Sequence, residues 1–206
     1  MAATYFGNSE SETEERVFAM LDAGAGVQRI HREDLSGRAR HIITDESIRP
    51  DGLLVFPDDE QFRCLRNRVF ALEIKPDRIV CDHLKVISEL TEQAKSYMDS
   101  RYEIPQLPGR SEVDGCIIYP NLDQILPQMP AGEQGARFSR NDDYKSGVRD
   151  MHRRVLARQR IFELVSMDTG FGILWCDEWL CRYENDRWRV SGKNHQFRRK
   201  VGSDYQ

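Results

Sequence analysis

Asp51, Glu73 and Lys75 are the residues of this chain whose types and spacing could act together on one bond. Asp51 stands at the mouth of an apolar run, RPDGLLVF, and Glu73 and Lys75 lie in a second, FALEIK. Side chains alternate along a strand, so Glu73 and Lys75 project from one face. A hairpin between the two runs would bring Asp51 beside them and place two carboxylates and an ammonium around one point. Converging carboxylates are costly unless they are protonated or bridged by a cation. Hard oxygen ligands suit Mg²⁺ or Mn²⁺. Such an ion would hold a phosphate oxygen and a water, and Lys75 would orient that water, help deprotonate it or stabilise charge on the phosphorane. The chemistry expected is metal-assisted hydrolysis of a phosphodiester.

The elements that must position these residues follow from periodicity. Ser11 with Glu14 fits a capping box ahead of a helix over 12–22, with Val17, Phe18, Met20 and Leu21 as its buried stripe. The glycines of AGAG (23–26) end it. A short strand is expected over 27–31, a loop over 33–40, a β-branched piece at 41–44 and an apolar strand over 52–56. Residues 57–67 form a turn or long hairpin loop. The next strand, 69–75, sets Val69, Ala71 and Glu73 on one face and Phe70, Leu72 and Ile74 on the other, and Pro76 stops it. A long helix over 82–100 keeps Leu84, Ile87, Leu90, Ala94, Tyr97 and Met98 at helical spacing. A Pro/Gly linker (101–110) leads to a buried strand over 116–120. Residues 121–143 allow one helical turn at 122–126. A second long helix is expected over 145–166, with Val148, Met151, Val155, Leu156, Ile161 or Phe162, and Val165 toward the core. Residues 171–192 read as a hairpin turning at Glu184-Asn185-Asp186, followed by a basic tail. The fold class is mixed α/β with helices on a central sheet. Residues 1–120 form a core, and 121–206 a basic helix and hairpin packed on the same domain.

Pro50-Asp51, followed 22 positions on by Glu73-Ile74-Lys75, resembles the PD-(D/E)xK nuclease superfamily, whose members include restriction endonucleases, Holliday-junction resolvases and phage exonucleases. The resemblance implies a restriction-endonuclease-like core: a helix, three antiparallel strands, a helix, then another strand, in the order read over 12–120. It implies Asp51 and Glu73 as metal ligands, the Ile74 carbonyl as a further ligand, and Lys75 as the catalytic lysine. Many members draw a glutamate from the first helix. EERVFAMLDAGAG resembles that helix, with Glu15 the first choice and Glu14 the rival. A polar side chain on the following helix is also common, for which Gln93 stands first, then Lys85 or Lys95. Cap-snatching endoribonucleases are similar in placing a histidine beside such a site; His41, and less so His31, lie upstream of Asp51. Many members dimerise to cut two strands, so a homodimer is compatible with the resemblance.

Other residues carry less. Asp114 precedes a strand and could serve as a second metal ligand. Asp58-Asp59-Glu60 reads as a solvated acidic turn. His83 and His152 have no evident partner in the sequence. No phosphate-binding P-loop, dinucleotide fingerprint or nucleophile elbow is present.

With 206 residues the chain has the length of one domain, or one with a small appendage. No apolar run approaches a membrane-spanning length, and the N-terminus lacks the pattern of a secretory signal. No membrane partner is therefore expected, and five scattered cysteines suggest reduced thiols, hence an intracellular protein. The net charge of −4 argues by itself against nucleic acid, but it averages two unlike halves. Residues 137–200 hold 15 Lys/Arg against 9 Asp/Glu, whereas residues 1–136 hold 15 against 24. The basic third contributes Arg149, Arg153, Arg154, Arg158 and Arg160 on a helix. It also contributes Arg182, Arg187 and Arg189 among Trp179, Tyr183 and Trp188, and Lys193, Arg198, Arg199 and Lys200 in the tail. Arginine mixed with aromatics suits phosphate contact and base stacking. The reading is a Mg²⁺- or Mn²⁺-dependent nuclease acting on DNA rather than RNA. The alternatives are a nuclease-fold module that binds nucleic acid or protein without cutting, and a cap-snatching-like endoribonuclease.

Overall fold

The structure is a computed structural model that describes residues 9–76, 83–104, 108–125 and 142–191. Helix α1 (Glu10–Asp22) leads to strand β1 (Gln28–His31), a 3-10 turn (Glu33–Leu35), β2 (Ala39–His41) and β3 (Gly52–Phe56). A second 3-10 segment (Glu60–Leu65) precedes β4 (Arg68–Ile74), helix α2 (His83–Met98), β5 (Ser100–Tyr102) and β6 (Gly115–Tyr119). Short α3 (Leu122–Ile125) and long α4 (Asp142–Arg158) come before four consecutive strands: β7 (Ile161–Met167), β8 (Gly170–Trp175), β9 (Glu178–Glu184) and β10 (Arg187–Val190).

Eight strands form one sheet in the order β1-β3-β4-β6-β7-β8-β9-β10, and β2 pairs with β5 in a separate ribbon. The β4–β6 and β6–β7 pairs are parallel, and the others in the sheet are antiparallel. The result is a mixed α+β fold on a curled, mostly antiparallel sheet. Strands from both halves of the chain share it, because β7 continues the sheet beside β6.

Alternation along β4 sorts the core into two layers, as the sequence implied. Val69 and Ala71 face a cluster with Val86, Leu90 and Ala94 of α2 and Leu156 of α4. Phe70, Leu72 and Ile74 face Val17 and Leu21 of α1, Phe62 and Leu65, and the β8–β10 meander. The curl carries β10 back over the second layer. Trp188 of β10 lies edge-on to Phe56 of β3 at 5.8 Å and to Phe62 at 5.5 Å, and its indole N–H donates to the Ala25 carbonyl at 2.8 Å. Among the described residues, no helix is long and apolar enough to cross a membrane.

Several expected boundaries move. The capping box is Ser9 with Glu12, one half-turn earlier than Ser11 with Glu14, and it frees Glu14 for other contacts. The β-branched piece at 41–44 is the end of β2 and a turn, and the loop at 33–40 contains a 3-10 turn. The second long helix ends at Arg158, and 161–167 is strand β7. Arg160 takes a positive φ of 55° between them, which breaks the helical path. The face of α4 is also rotated from expectation: Leu156 is buried, but Met151 and Val155 are exposed. The single hairpin at 171–192 is a three-stranded meander. Cys176-Asp177 and Asn185-Asp186 both take positive φ, as two-residue type I′ turns require.

Candidate functional site

Pro50-Asp51-Gly52 has the composition of a turn but begins a strand. A Cβ on Gly52 would lie 2.8 Å from the Ile30 carbonyl oxygen, so glycine lets β3 approach β1 closely there. Gly52 pairs with Leu72, and one step further the same antiparallel register sets Asp51 opposite Glu73. Residues opposite each other on one face have Cβ atoms about 4.5–5.5 Å apart. Asp51 and Glu73 therefore stand on the α2 side of the sheet, at the carboxyl end of β4, and both are buried. The Lys75 Nζ lies 2.6 Å from Glu73 Oε1, with its own backbone N–H bound to the Tyr119 carbonyl at 2.7 Å.

Each carboxylate oxygen of this pair has a donor. Asp51 Oδ2 accepts the Ile74 backbone N–H at 2.6 Å, and Asp51 Oδ1 takes the Arg32 guanidinium. Glu73 Oε1 faces Lys75, and Glu73 Oε2 accepts the Tyr97 hydroxyl from α2. Burial, then the facing negative charge of Glu73, pushes the Tyr97 hydroxyl far above the ordinary tyrosine range, so it stays a proton donor. The same two influences raise the Cys116 thiol on the neighbouring strand β6.

The first helix does reach this corner, through Glu14. Arg32 Nη2 lies 3.0 Å from Glu14 Oε1 while also holding Asp51, so one guanidinium bridges two carboxylates. Glu15, the first choice from sequence, is exposed and has no part in this bridge. Gln93 is on α2 one turn before Tyr97, part-buried, and its Oε1 meets no donor among the described residues. His41 turns inward on its own loop, where Nδ1 accepts the N–H groups of Ile43 and Thr44 at 3.3 Å. His31 faces Arg29 across 2.9 Å on β1. Asp114 is clamped by Arg68 at 2.6 Å, by Arg110 and by the Val69 N–H at 2.8 Å, at the opposite end of β4 from Glu73. Its carboxylate closes a structural junction rather than joining Asp51. Asp59 caps the second 3-10 segment and Asp58 pairs with Arg66.

The arginines expected on the second long helix divide. Arg154 and Arg158 are exposed, and Arg160 is half-buried. Arg153 corrects the expectation of a phosphate contact, because it is 8% exposed and fixed inside the fold. It reaches Glu163 at 2.9 Å, Asp123 at 2.8 Å and Asp177 at 2.5 Å. Burial alone would lower its pKa, but Glu163 and Asp123 more than offset that and hold it charged. The side chain of Arg149, and Arg198, Arg199 and Lys200, lie outside the described residues, as does Cys81. Cys64, Cys116, Cys176 and Cys181 are free thiols.

Sequence reasoning missed Arg32 and Tyr97. Tyr97 appeared only as one apolar position of the α2 stripe. The available signal was Gln93 and Tyr97 together, two polar-tipped side chains four apart on one face.

Two carboxylates level on adjacent strands, Asp51 and Glu73, are the oxygen donors here that could serve a hard divalent cation, while Glu14 is joined to them only through a guanidinium. As placed, Arg32 stands between Glu14 and Asp51, and the described residues gather no group of three or more His, Cys, Asp or Glu side chains fit to hold a metal. Such an ion would be held by Asp51 and Glu73 once Arg32 leaves Asp51. The Arg32 side chain is 40% exposed, against 5% for Asp51.

Compared with family models, curated proteins and solved structures, the chain matches none. The functional reading rests on its own residues and their geometry.

Proposed function

We propose that this protein is a Mg²⁺- or Mn²⁺-dependent nuclease of the PD-(D/E)xK kind, hydrolysing phosphodiester bonds in DNA rather than RNA. The observation that carries the reading is the placement of Asp51 opposite Glu73 on adjacent strands, with Lys75 2.6 Å from Glu73 at the rim. The strand order adds support: three antiparallel strands, β1, β3 and β4, then a helix, then β6 parallel to β4, follow α1 in the order the resemblance implies.

When bound, a divalent ion supplies Lewis-acid neutralisation of charge on the phosphate. The chain's own groups do the remainder. Tyr97 donates to Glu73 and fixes the rotation of its carboxylate. The Ile74 N–H does the same for Asp51. Lys75, only partly exposed, holds a proton at Nζ where it can orient a water or steady the pentavalent phosphorus. Supercoiled plasmid incubated with Mn²⁺ tests the proposal. The wild-type chain is expected to cut it, and Lys75→Ala to lower the rate by about 10²–10⁴. Equal cutting by both, or cutting by neither, contradicts it.

A second reading has its own observation. Arg32 already supplies a cation to Asp51 and Glu14, and a site so neutralised suits a module that binds nucleic acid or protein without cutting. Such a module would shift DNA in a gel with or without metal and leave it intact.

A further inference from the structure

We infer that this chain associates with copies of itself head to tail, the isoleucine turn of the β2–β5 ribbon in one copy seating on the outer face of α4 in the next. The inference uses none of Asp51, Glu73 and Lys75 and is independent of the nuclease reading.

Four large hydrophobic side chains are exposed among the described residues, and they fall into two pairs. Ile42, 50% exposed, and Ile43, 84% exposed, are adjacent at the turn that follows β2. Met151, 55% exposed, and Val155, 44% exposed, lie one turn apart on α4. A single exposed apolar side chain is ordinary on a protein surface, whereas neighbouring ones on a fixed scaffold mark a contact. Both pairs stay exposed in one copy, so they do not cover each other within it.

The two patches differ in shape. The turn is a knob held in place by its own hydrogen bonds. The Ile42 N–H donates to the Asp99 carbonyl at 2.9 Å, the His41 N–H to the Glu46 carbonyl at 2.9 Å, and His41 Nδ1 accepts the Ile43 and Thr44 N–H groups. A turn already fixed loses little conformational freedom on docking. The α4 patch is a recess. A shallow hollow of about 410 Å³ opens at Met151 and Val155, flanked by Arg154, Arg158 and Asp150. Residues 151, 154, 155 and 158 follow helical spacing and share one face. The other face of α4 is committed to the fold through Leu156 and Arg153.

They differ in charge as well. The turn carries exposed Asp45 and Glu46, and Asp99 stands against it at the Ile42 N–H. The nearest cations are Arg40, which holds Asp45 at 3.2 Å, and Lys95, one helical turn before Asp99. Arg40 and Arg101 pair two residues back from Ile42, and Arg38 with Glu103 lies further still. The knob is therefore ringed mainly by acids. The recess has the opposite balance, with two arginines against Asp150. Acids around the isoleucines oppose a nucleic acid or an anionic lipid surface at this tip. They suit an apolar recess flanked by arginines, and the same chain carries one. A contact between unlike patches of two copies is heterologous: it passes from copy to copy, or closes when two copies exchange knobs.

The test is analytical ultracentrifugation of the full chain over a range of concentrations, with two double variants. Ile42→Ser with Ile43→Ser removes the knob, and Met151→Gln with Val155→Gln removes the recess. All four side chains are exposed, and circular-dichroism melts would verify that both variants fold. The wild-type chain is expected to exceed the mass of one copy as concentration rises, and each variant alone to associate at least about tenfold more weakly. An equimolar mixture of the two variants is expected to form a complex of two copies, because the knob kept by one fits the recess kept by the other. A wild-type chain that stays at the mass of one copy overturns the inference, as do variants that associate like wild type. Association lost in one variant alone overturns it in favour of like patches meeting, knob on knob or α4 on α4. A mixture in which no complex of two copies forms overturns it as well.

Discussion

Two buried glutamates occupy one row of the sheet. Glu73 on β4 pairs with Ile118 on β6, and Ile118 pairs with Glu163 on β7, so the two carboxylates flank one isoleucine on the same face. Each is 2% exposed. Their surroundings differ in what answers the charge. Glu163 is closed in by fixed elements: the Leu122 N–H at 2.8 Å and Arg153 of α4 at 2.9 Å, with Arg153 also drawing in Asp123 and Asp177. One guanidinium thereby ties α3, α4, β7 and the β8–β9 turn together. Glu73 is answered by a lysine just beyond its own strand and by a tyrosine hydroxyl, with Asp51 opposite and a half-exposed arginine on Asp51. Identical residue types at one height of the sheet thus serve two ends. The Glu163 cluster is enclosed and holds the fold together, while the cations at the Glu73 corner, Lys75 and Arg32, are partly exposed.

That contrast breaks most sharply under truncation. Arg153→Ala leaves Glu163 buried without its cation and is expected to cost about 3–5 kcal/mol in urea unfolding. Glu73→Gln is expected to change unfolding free energy by less than about 1 kcal/mol, or to raise it, because functional acids are commonly held at the expense of stability. The same Glu73 change should lower Mn²⁺-dependent cleavage on the order of 10³-fold. A stability loss for Glu73→Gln as large as that for Arg153→Ala would make both clusters structural.

A smaller effect sharpens the comparison through pH. Burial raises the Glu163 carboxyl above its ordinary value of 4.5, outweighing the lowering influence of Arg153. The folded state therefore holds that proton more tightly than the unfolded chain does. The contribution from this group is fully present below pH 4.5 and is lost as pH rises through the folded value. Glu163→Gln should remove that fall from the stability profile, measured as urea midpoint against pH. An unchanged fall would place its origin elsewhere.

The two clusters were unequally legible in the sequence. Asp51, Glu73 and Lys75 stood out because strand alternation is strict, and the faces of β4 agree with the alternation residue by residue. Glu14 rather than Glu15 could not be chosen before the capping box was placed, and its shift to Ser9 and Glu12 left Glu14 to meet Arg32. The Arg153 cluster was illegible, since its three acids come from distant segments and each looks solvated in its own. The overrun of the second long helix has a plain cause. Ile161, Phe162, Leu164 and Val165 prolong a helical apolar spacing, whereas the positive φ at Arg160 belongs to the backbone and leaves no mark on that pattern.

The proposed nuclease chemistry requires Asp51 and Glu73 to share a divalent cation that takes the place Arg32 holds on Asp51. A crystal soaked in Mn²⁺ and measured at the manganese edge tests it directly. One anomalous peak bound by both carboxylates is expected, with the Arg32 guanidinium withdrawn from Asp51. Arg32 still seated on Asp51, with no peak beside Glu73, would contradict it.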